Sequence, residues 1–159
     1  MSTYASGTTV PIERTRAEIE GTLRRYGADQ FFSGWDGDKA MISFRAKGRF
    51  IRFVLVLPAK DEKRFTEKVH KGRHWPVKLS ADASAKAWDA EVRRMWRSLL
   101  LAIKAKLEVV ESGISSFEDE FLAYIVLPDQ TLVGDRIRTY IQTAYETGKM
   151  PLLGDGGGA

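Results

Sequence analysis

The spacing of apolar residues changes several times along the chain, and each change predicts a different element. From residue 12 to residue 26 apolar side chains recur at helical intervals, and Gly27 is suited to end that helix. Alternating patterns then predict three strands, at residues 30–35, 39–46 and 49–57. Two-residue turns join these strands into an antiparallel meander, at Asp36-Gly37 and Lys47-Gly48.

Two-residue turns also fix which residues of neighbouring strands face each other. With these turns Phe32 lies opposite Met41, and Ser43 lies opposite Arg52. Because side chains alternate across a strand, one sheet face collects the apolar residues Phe31, Ala40, Ile42, Phe44, Ile51, Phe53 and Leu55. The other face collects Phe32, Met41, Ser43, Arg45, Phe50, Arg52 and Val54. We expect the first face to form the core, whereas the second is either exposed or covered by the N-terminal or C-terminal helices.

The strongest helical pattern runs from residue 83 to residue 110. Its apolar residues recur every three or four positions, and they are Trp88, Val92, Met95, Trp96, Leu99, Ile103, Leu107 and Val110. Cationic residues fall close to one line on the opposite side of this helix, namely Lys86, Arg93, Arg97 and Lys104. Such a stripe is either a binding surface or an ordinary solvated helix face.

Two shorter helices complete the predicted order of elements. Residues 115–118 have the sequence of a capping box for a helix through about Ile125, and a last helix spans residues 132–146. The predicted fold class is therefore α+β. It comprises an N-terminal helix, a three-stranded antiparallel β-meander, a long amphipathic helix and two shorter C-terminal helices.

The length of 159 residues suits one domain, which we place at residues 12–147 with a basic loop at about 59–82. Residues 1–11 are predicted to be a disordered lead-in, and the Gly-rich residues 148–159 a flexible tail. The sequence has no cysteine, and no apolar run reaches the ~20 residues that span a bilayer. We therefore expect a cytoplasmic protein of a bacterial host cell.

Charge is distributed unevenly along the chain. From Lys39 to Lys106 there are 18 Lys/Arg and 6 Asp/Glu, which gives +12; the remaining 7 Lys/Arg and 15 Asp/Glu give −8, and the sum is the net charge of +4. Such segregation favours a polyanionic partner. The alternative is that the basic segments face acidic segments of the same fold.

Few residues have the spacing of a catalytic or metal site. His70 and His74 are four residues apart, but Gly72 lies between them and no third ligand is evident, which favours loop histidines. Three consecutive acids at residues 118–120 cannot all face one metal from a helix, and they suit the first turn of a helix. The sequence also lacks the familiar motifs of nucleophilic, P-loop and dinucleotide sites. We predict no enzymatic activity and no cofactor, with a metal-dependent nuclease using Glu118 or Glu120 as the alternative.

Four features together favour nucleic-acid binding: the segregated charge, the mixed sheet face, the cationic helix stripe and a basic loop that carries an aromatic residue. Lys and Arg neutralise phosphates, and exposed rings stack on unpaired bases. The predicted phosphate-binding residues are Arg45, Arg52, Arg93, Arg97 and Lys104. The predicted stacking residues are Phe50 and Trp75.

Several segments resemble an uncharacterised family of small bacteriophage and prophage proteins, namely Tyr26–Phe31, Ile103–Ile114, Phe117–Ala123 and Val126–Pro128. The resemblance covers most of residues 13–152 and implies a phage or mobile-element origin, without an activity or site residues. The order of elements, a β-meander followed by a long helix, is also similar to the core of phage single-strand annealing proteins. Those recombination mediators form rings and hold single-stranded DNA in a basic groove between sheet and helix, which implies a homo-oligomer.

The sequence thus predicts a phage-type nucleic-acid-binding protein with single-stranded DNA as the favoured partner. Its role would be annealing or accessory to recombination. The alternative is a phage interaction protein whose basic face inhibits or redirects a host protein. We expect no membrane partner.

Overall fold

The computed structural model describes Ala5, residues 7–72 and residues 74–150. In chain order the elements are α1 (Ile12–Arg25), β1 (Gln30–Asp36), β2 (Lys39–Ala46), β3 (Arg49–Val56), α2 (Lys63–Thr66), β4 (Glu67–Lys68), β5 (Val77–Lys78), α3 (Ala81–Glu111), α4 (Phe117–Phe121), a 3-10 turn (Leu122–Tyr124) and α5 (Val133–Thr147). The predicted α+β class and the order of its main elements are confirmed. The parts of the predicted lead-in and tail at residues 1–4, 6 and 151–159 lie outside the described residues.

The strands β1, β2 and β3 form an antiparallel sheet in that order. Between β2 and β3 the predicted pairing is confirmed, with Ser43 opposite Arg52 and Phe44 opposite Ile51. The turn at Lys47 and Gly48 fixes this register, because both residues take the positive φ that a tight hairpin turn requires (52° and 74°).

The predicted register between β1 and β2 was wrong. Phe32 lies opposite Ser43 rather than Met41, and the loop residues are Gly37 and Asp38. Gly37 takes its positive φ of 57° at the first loop position, where a tight turn favours glycine. Moving the loop by one residue shifts the pairing by two. Because side chains alternate with period two, the predicted division of residues between the two sheet faces is retained.

The helices α1 and α3 pack on the apolar face of the sheet. Ile42 and Ile51 are fully buried there, and they share one cluster with residues of α1 and α3, including Ile19, Leu23, Trp96, Leu100 and Ile103. At one end of the sheet α4 inserts Phe121, whose ring meets that of Phe44 edge-on with 6.0 Å between centroids. Burial of these side chains is the main source of stability, since each fully buried one contributes about 1.5–3 kcal/mol.

A carboxylate on α1 connects this helix to α3. Glu18 accepts hydrogen bonds from Arg97 at 2.6 Å and from Lys104 at 2.7 Å. The bonds from Lys104 and then Arg97 hold the pKa of Glu18 below its usual value. The cationic side of α3 therefore does not face only solvent, as the sequence pattern suggested, because α1 packs along it.

The basic loop at residues 59–82 has more structure than its sequence predicted. It contains α2, whose Phe65 is buried and whose residues pack against α3, followed by the short hairpin of β4 and β5. Trp88 of α3 fixes the start of the loop by donating a hydrogen bond from Nε1 to the Pro58 carbonyl at 2.8 Å. A two-residue ladder is too short for a periodic pattern, which explains why the sequence did not reveal it.

The C-terminal part of the chain packs against the outer edge of β3 and then leaves the core. The Val126 amide donates to the Phe50 carbonyl at 2.8 Å, so that this edge is partly paired. The following helix, α5, contains no buried residue and contacts the 3-10 turn. At this contact Gly134 approaches the Ala123 carbonyl so closely that a Cβ would lie 2.8 Å from the oxygen.

The Glu18 bridge should contribute measurably to stability. We expect Glu18→Gln to lower the free energy of unfolding by about 1 kcal/mol at pH 7, because two partly exposed cations lose their carboxylate. The folded-state pKa lies below the usual value of 4.5, so this contribution is present above pH 4.5 and is lost as pH falls through the folded pKa. Urea unfolding of the unmodified protein and of the Glu18→Gln variant at several pH values should show the difference between their free energies of unfolding shrinking in acid.

The matched control for this experiment is Glu20→Gln. Glu20 is on the same helix and forms only an exposed pair with Arg24. Equal destabilisation by the two substitutions, or a difference that persists at low pH, would contradict the bridging role of Glu18.

Candidate nucleic-acid interface

The face of the sheet turned away from α1 and α3, here called the outer face, is largely open. Alternation along the strands assigns to it Gln30, Phe32, Gly34, Asp36, Lys39, Met41, Ser43, Arg45, Phe50, Arg52, Val54 and Val56. Phe32 is 60% exposed and Phe50 is 47% exposed. Of the two alternatives for this face, exposure is therefore the one that the structure shows for these rings.

Two neighbouring rows across the outer face each contain one aromatic and one cationic residue. One row places Phe32, Ser43 and Arg52 on successive strands, and the next places Gln30, Arg45 and Phe50. Phe32 also occupies the space above Gly34, because two of its ring carbons lie 2.9 Å from the position of a Cβ there. Any larger residue at position 34 would have to displace the ring.

The two arginines of the outer face differ in their electrostatic environment. Arg45 lies 5.9 Å from the centroid of the Phe50 ring and donates from Nε to Asp29 at 2.9 Å. This hydrogen bond lowers the pKa of the Asp29 carboxyl. Because both partners are substantially exposed, the pair is weak and can be exchanged for another anion.

Arg52 is paired with a neutral residue instead. Its two terminal nitrogens donate to the backbone carbonyl and to Oε1 of Gln130, at 3.2 and 3.1 Å. Among the described residues no carboxylate forms an ion pair with Arg52, so its charge is not neutralised. Arg52 thus fixes the turn that contains Gln130 and leaves a positive potential on the outer face.

The turn at residues 126–130 forms one wall of a groove on the outer face. The groove has a volume of about 570 Å³, and its lining is Phe32, Met41, Ser43, Phe50, Arg52, Val126, Leu127, Pro128 and Gln130. Asp129 stabilises the turn through hydrogen bonds from Thr131 and Arg136, which lower its pKa to about 2. A fixed wall beside two exposed rings gives this surface the size and shape to hold a nucleobase.

The residues predicted to bind nucleic acid fall on two different surfaces. Arg45, Phe50 and Arg52 lie on the outer face, and the structure adds Phe32 to them. The remaining predicted residues, Arg93, Arg97, Lys104 and Trp75, lie on α3 or on the β4–β5 hairpin beside it. The groove between sheet and helix implied by the annealing proteins is filled here by the core.

The structure shows much of the charge segregation to be balanced internally. Cations of the basic stretch pair with acids from outside it: Arg45 with Asp29, Arg49 with Glu118, Arg97 and Lys104 with Glu18, and Lys106 with Glu120. These are the contacts that the alternative interpretation of the charge predicts. The field outside the protein is therefore weaker than +12 suggests, and it depends on the cations that remain.

The acids and histidines considered for metal binding do not converge on one point in the described part of the chain. Glu118 and Glu120 have the ion-pair partners given above, and Asp119 accepts a hydrogen bond from Ser116 at 2.6 Å. Within residues 7–72 and 74–150, no three His, Asp or Glu side chains come together as metal ligands would. The two ion pairs connect α4 to β3 and to α3.

No known family model, curated protein or solved structure matches the chain. The resemblances to phage proteins and to annealing proteins therefore stay predictions. In the part of the chain that the structure describes, every helix is too short or too polar to cross a bilayer.

The contact between Arg52 and the groove wall can be tested with a substitution that keeps the positive charge at position 52. We expect Arg52→Lys to accelerate amide hydrogen exchange at residues 126–131 by about tenfold, since a lysine cannot reproduce the two-point contact with Gln130. Arg45→Lys, on the same face but away from this turn, is the control. Unchanged exchange in the Arg52 variant, or equal acceleration in both, would contradict this role.

Proposed function

We propose that the protein binds single-stranded nucleic acid, with single-stranded DNA favoured, across the outer face of its sheet. The observation that carries the proposal is the open sheet face on which Phe32 and Phe50 are exposed beside arginines. Proteins that bind unpaired strands combine such stacking rings with cationic groups that neutralise the backbone. A role in phage annealing or recombination is the finer form of this proposal.

The separation of the rings favours a strand of unpaired bases. Phe32 and Phe50 lie two strands and two residues apart, which places them about 12 Å from each other. At this distance each ring stacks on a different base. In a duplex the faces of the bases are already stacked on each other, so two separate rings on a sheet gain little from it.

The cations next to the rings are placed for the phosphates. Arg45 neighbours Phe50 on the adjacent strand, and Arg52 lies in the same row as Phe32. Arg97 and Lys104 are less suited to this role because both already bind Glu18. The proposal therefore assigns the contacts to the sheet and leaves α3 as its support.

Loss of the rings should weaken binding in a way that charge does not explain. We expect Phe32→Ala and Phe50→Ala each to weaken binding of a fluorescent oligo-dT by about tenfold, because stacking contributes about 1–3 kcal/mol per base. Titrations followed by anisotropy would measure this. Tyr145→Ala is the matched control, since Tyr145 is 89% exposed and lies on α5.

Two results would overturn the proposed surface. One is an affinity for oligo-dT that stays the same in the Phe32→Ala, Phe50→Ala and Tyr145→Ala variants. The other is tighter binding by Glu18→Gln, because release of Arg97 and Lys104 strengthens binding only if α3 contacts the strand. Absence of binding at low salt would overturn the function itself.

Loss of a cation should instead change the dependence on salt. We expect Arg45→Gln to reduce the slope of log K against log salt by about 0.7, the value for one phosphate contact on a single strand. Arg138→Gln is the control, because Arg138 is an exposed arginine of α5. An unchanged slope in the Arg45 variant would show that this residue does not contact phosphate.

A further inference from the structure

The strand β1 has one free edge. Among the described residues it pairs only with β2, whereas the opposite edge of the sheet is partly covered through the bridge between Ile51 and Ile125. Its seven residues pair with β2 without a bulge, and their sequence, QFFSGWD, has no Lys, Arg or Pro. Bulges, charged residues such as Lys, and Pro are the features that usually protect an exposed edge from pairing with another chain.

The backbone of β1 presents hydrogen-bonding groups at this edge. A two-residue turn closes on a bonded pair, here Asp36 with Lys39, so every second residue back from Asp36 bonds to β2. Phe31, Ser33 and Trp35 therefore direct their N–H and C=O groups outward. Arg16 reaches the Ser33 carbonyl from that side at 3.4 Å, and this long contact has to give way when a second strand pairs there.

We propose that β1 pairs antiparallel with β1 of a second copy, with Ser33 on the two-fold axis. In this register Ser33 lies opposite Ser33 of the second copy, Phe31 opposite Trp35 and Phe32 opposite Gly34. All three outward-directed residues then form bonded pairs, which a shift by one residue would prevent. The strand is thus complementary to itself.

Two side-chain features of β1 bear on this pairing. The Ser33 hydroxyl has no hydrogen-bond partner among the described residues, and the dimer places a second hydroxyl opposite it. Because its own chain covers this atom, the covering side chains must move aside for the two hydroxyls to meet. Trp35 is 84% exposed, and in the dimer it packs beside Phe31 of the second copy.

The dimer creates one six-stranded sheet with a continuous outer face. The two Phe32 rings lie on either side of the two-fold axis, with the two Phe50 rings beyond them. The second copy thus doubles the surface assigned to nucleic acid. The pairing itself rests on β1 alone and does not require that the proposed function is correct.

The register is tested with a single cysteine, because the natural chain has none. We expect Ser33→Cys to give a disulfide-linked dimer on mild oxidation, since bonded residues on paired strands lie about 5.5 Å apart at Cα, within disulfide range. Ser43→Cys is the control. Its two copies would lie three strand spacings and two residues apart, about 16 Å, beyond that range. Cross-linking of both variants alike, or of neither, overturns the register.

A second measurement does not depend on the cysteine variants folding correctly. Sedimentation equilibrium of the unmodified chain should give a mass that rises with concentration from 17.9 kDa towards twice that value. We expect Trp35→Lys to weaken this association by about tenfold, because two cross-strand aromatic pairs are lost and a charge is added at the edge. Trp75→Lys, which removes an exposed tryptophan elsewhere, should leave it unchanged.

A chain that stays monomeric at its highest soluble concentration, or a Trp35→Lys variant that associates as well as the unmodified chain, overturns the dimer. Trp35 is not on the outer face, so the same variant can be titrated with oligo-dT. Loss of association with retained binding per monomer supports both proposals. If no form of the chain binds oligo-dT while the unmodified chain still associates with itself, only the proposed function is overturned.

Discussion

One-sided burial of the sheet is the constraint on which the other features depend. The fully buried residues Ile42, Phe44 and Ile51 project from one side of β2 and β3, and both long helices pack there. A shift by one residue would turn all of these side chains into solvent, so the register is strongly fixed. The same alternation leaves the outer face to residues that the fold does not need, and these are free to serve binding.

The position of Glu18 changes how the charge of the chain is interpreted. Counted along the sequence, the basic stretch suggests a strong positive field. In the structure two of its cations share one carboxylate on α1, and others pair with acids from α4 and from the segment before β1. What remains for a partner is a smaller set, which includes Arg52 because its hydrogen bonds go to neutral groups.

The fold and the residues of the outer face were largely readable from local patterns, whereas the exposure of that face and the ion pairs of α3 were not. The loop at Lys47-Gly48 was predicted correctly, and both of its residues take the positive φ that this type of two-residue turn requires. At the other hairpin, Gly37 can occupy either position of a two-residue loop next to an aspartate, so the sequence left the register open there. The ion pairs of Glu18 join residues 79 and 86 positions apart, a distance at which periodicity carries no information. Whether Phe32 is exposed likewise depends on where α5 goes, since the sequence of the strand is compatible with both outcomes.

The attachment of α5 has a consequence for the cooperativity of unfolding. This fifteen-residue helix buries no residue and is joined to the core at its first turn, where Gly134 meets Ala123. Isolated helices of ~12–15 residues are marginal in water, and the later turns of α5 add only half-buried residues such as Tyr140 and Ala144 to their own propensity. Regions of this kind open at a lower free energy than the core they adjoin. We expect total helical signal to fall before core packing is lost, with α5 opening below the main transition.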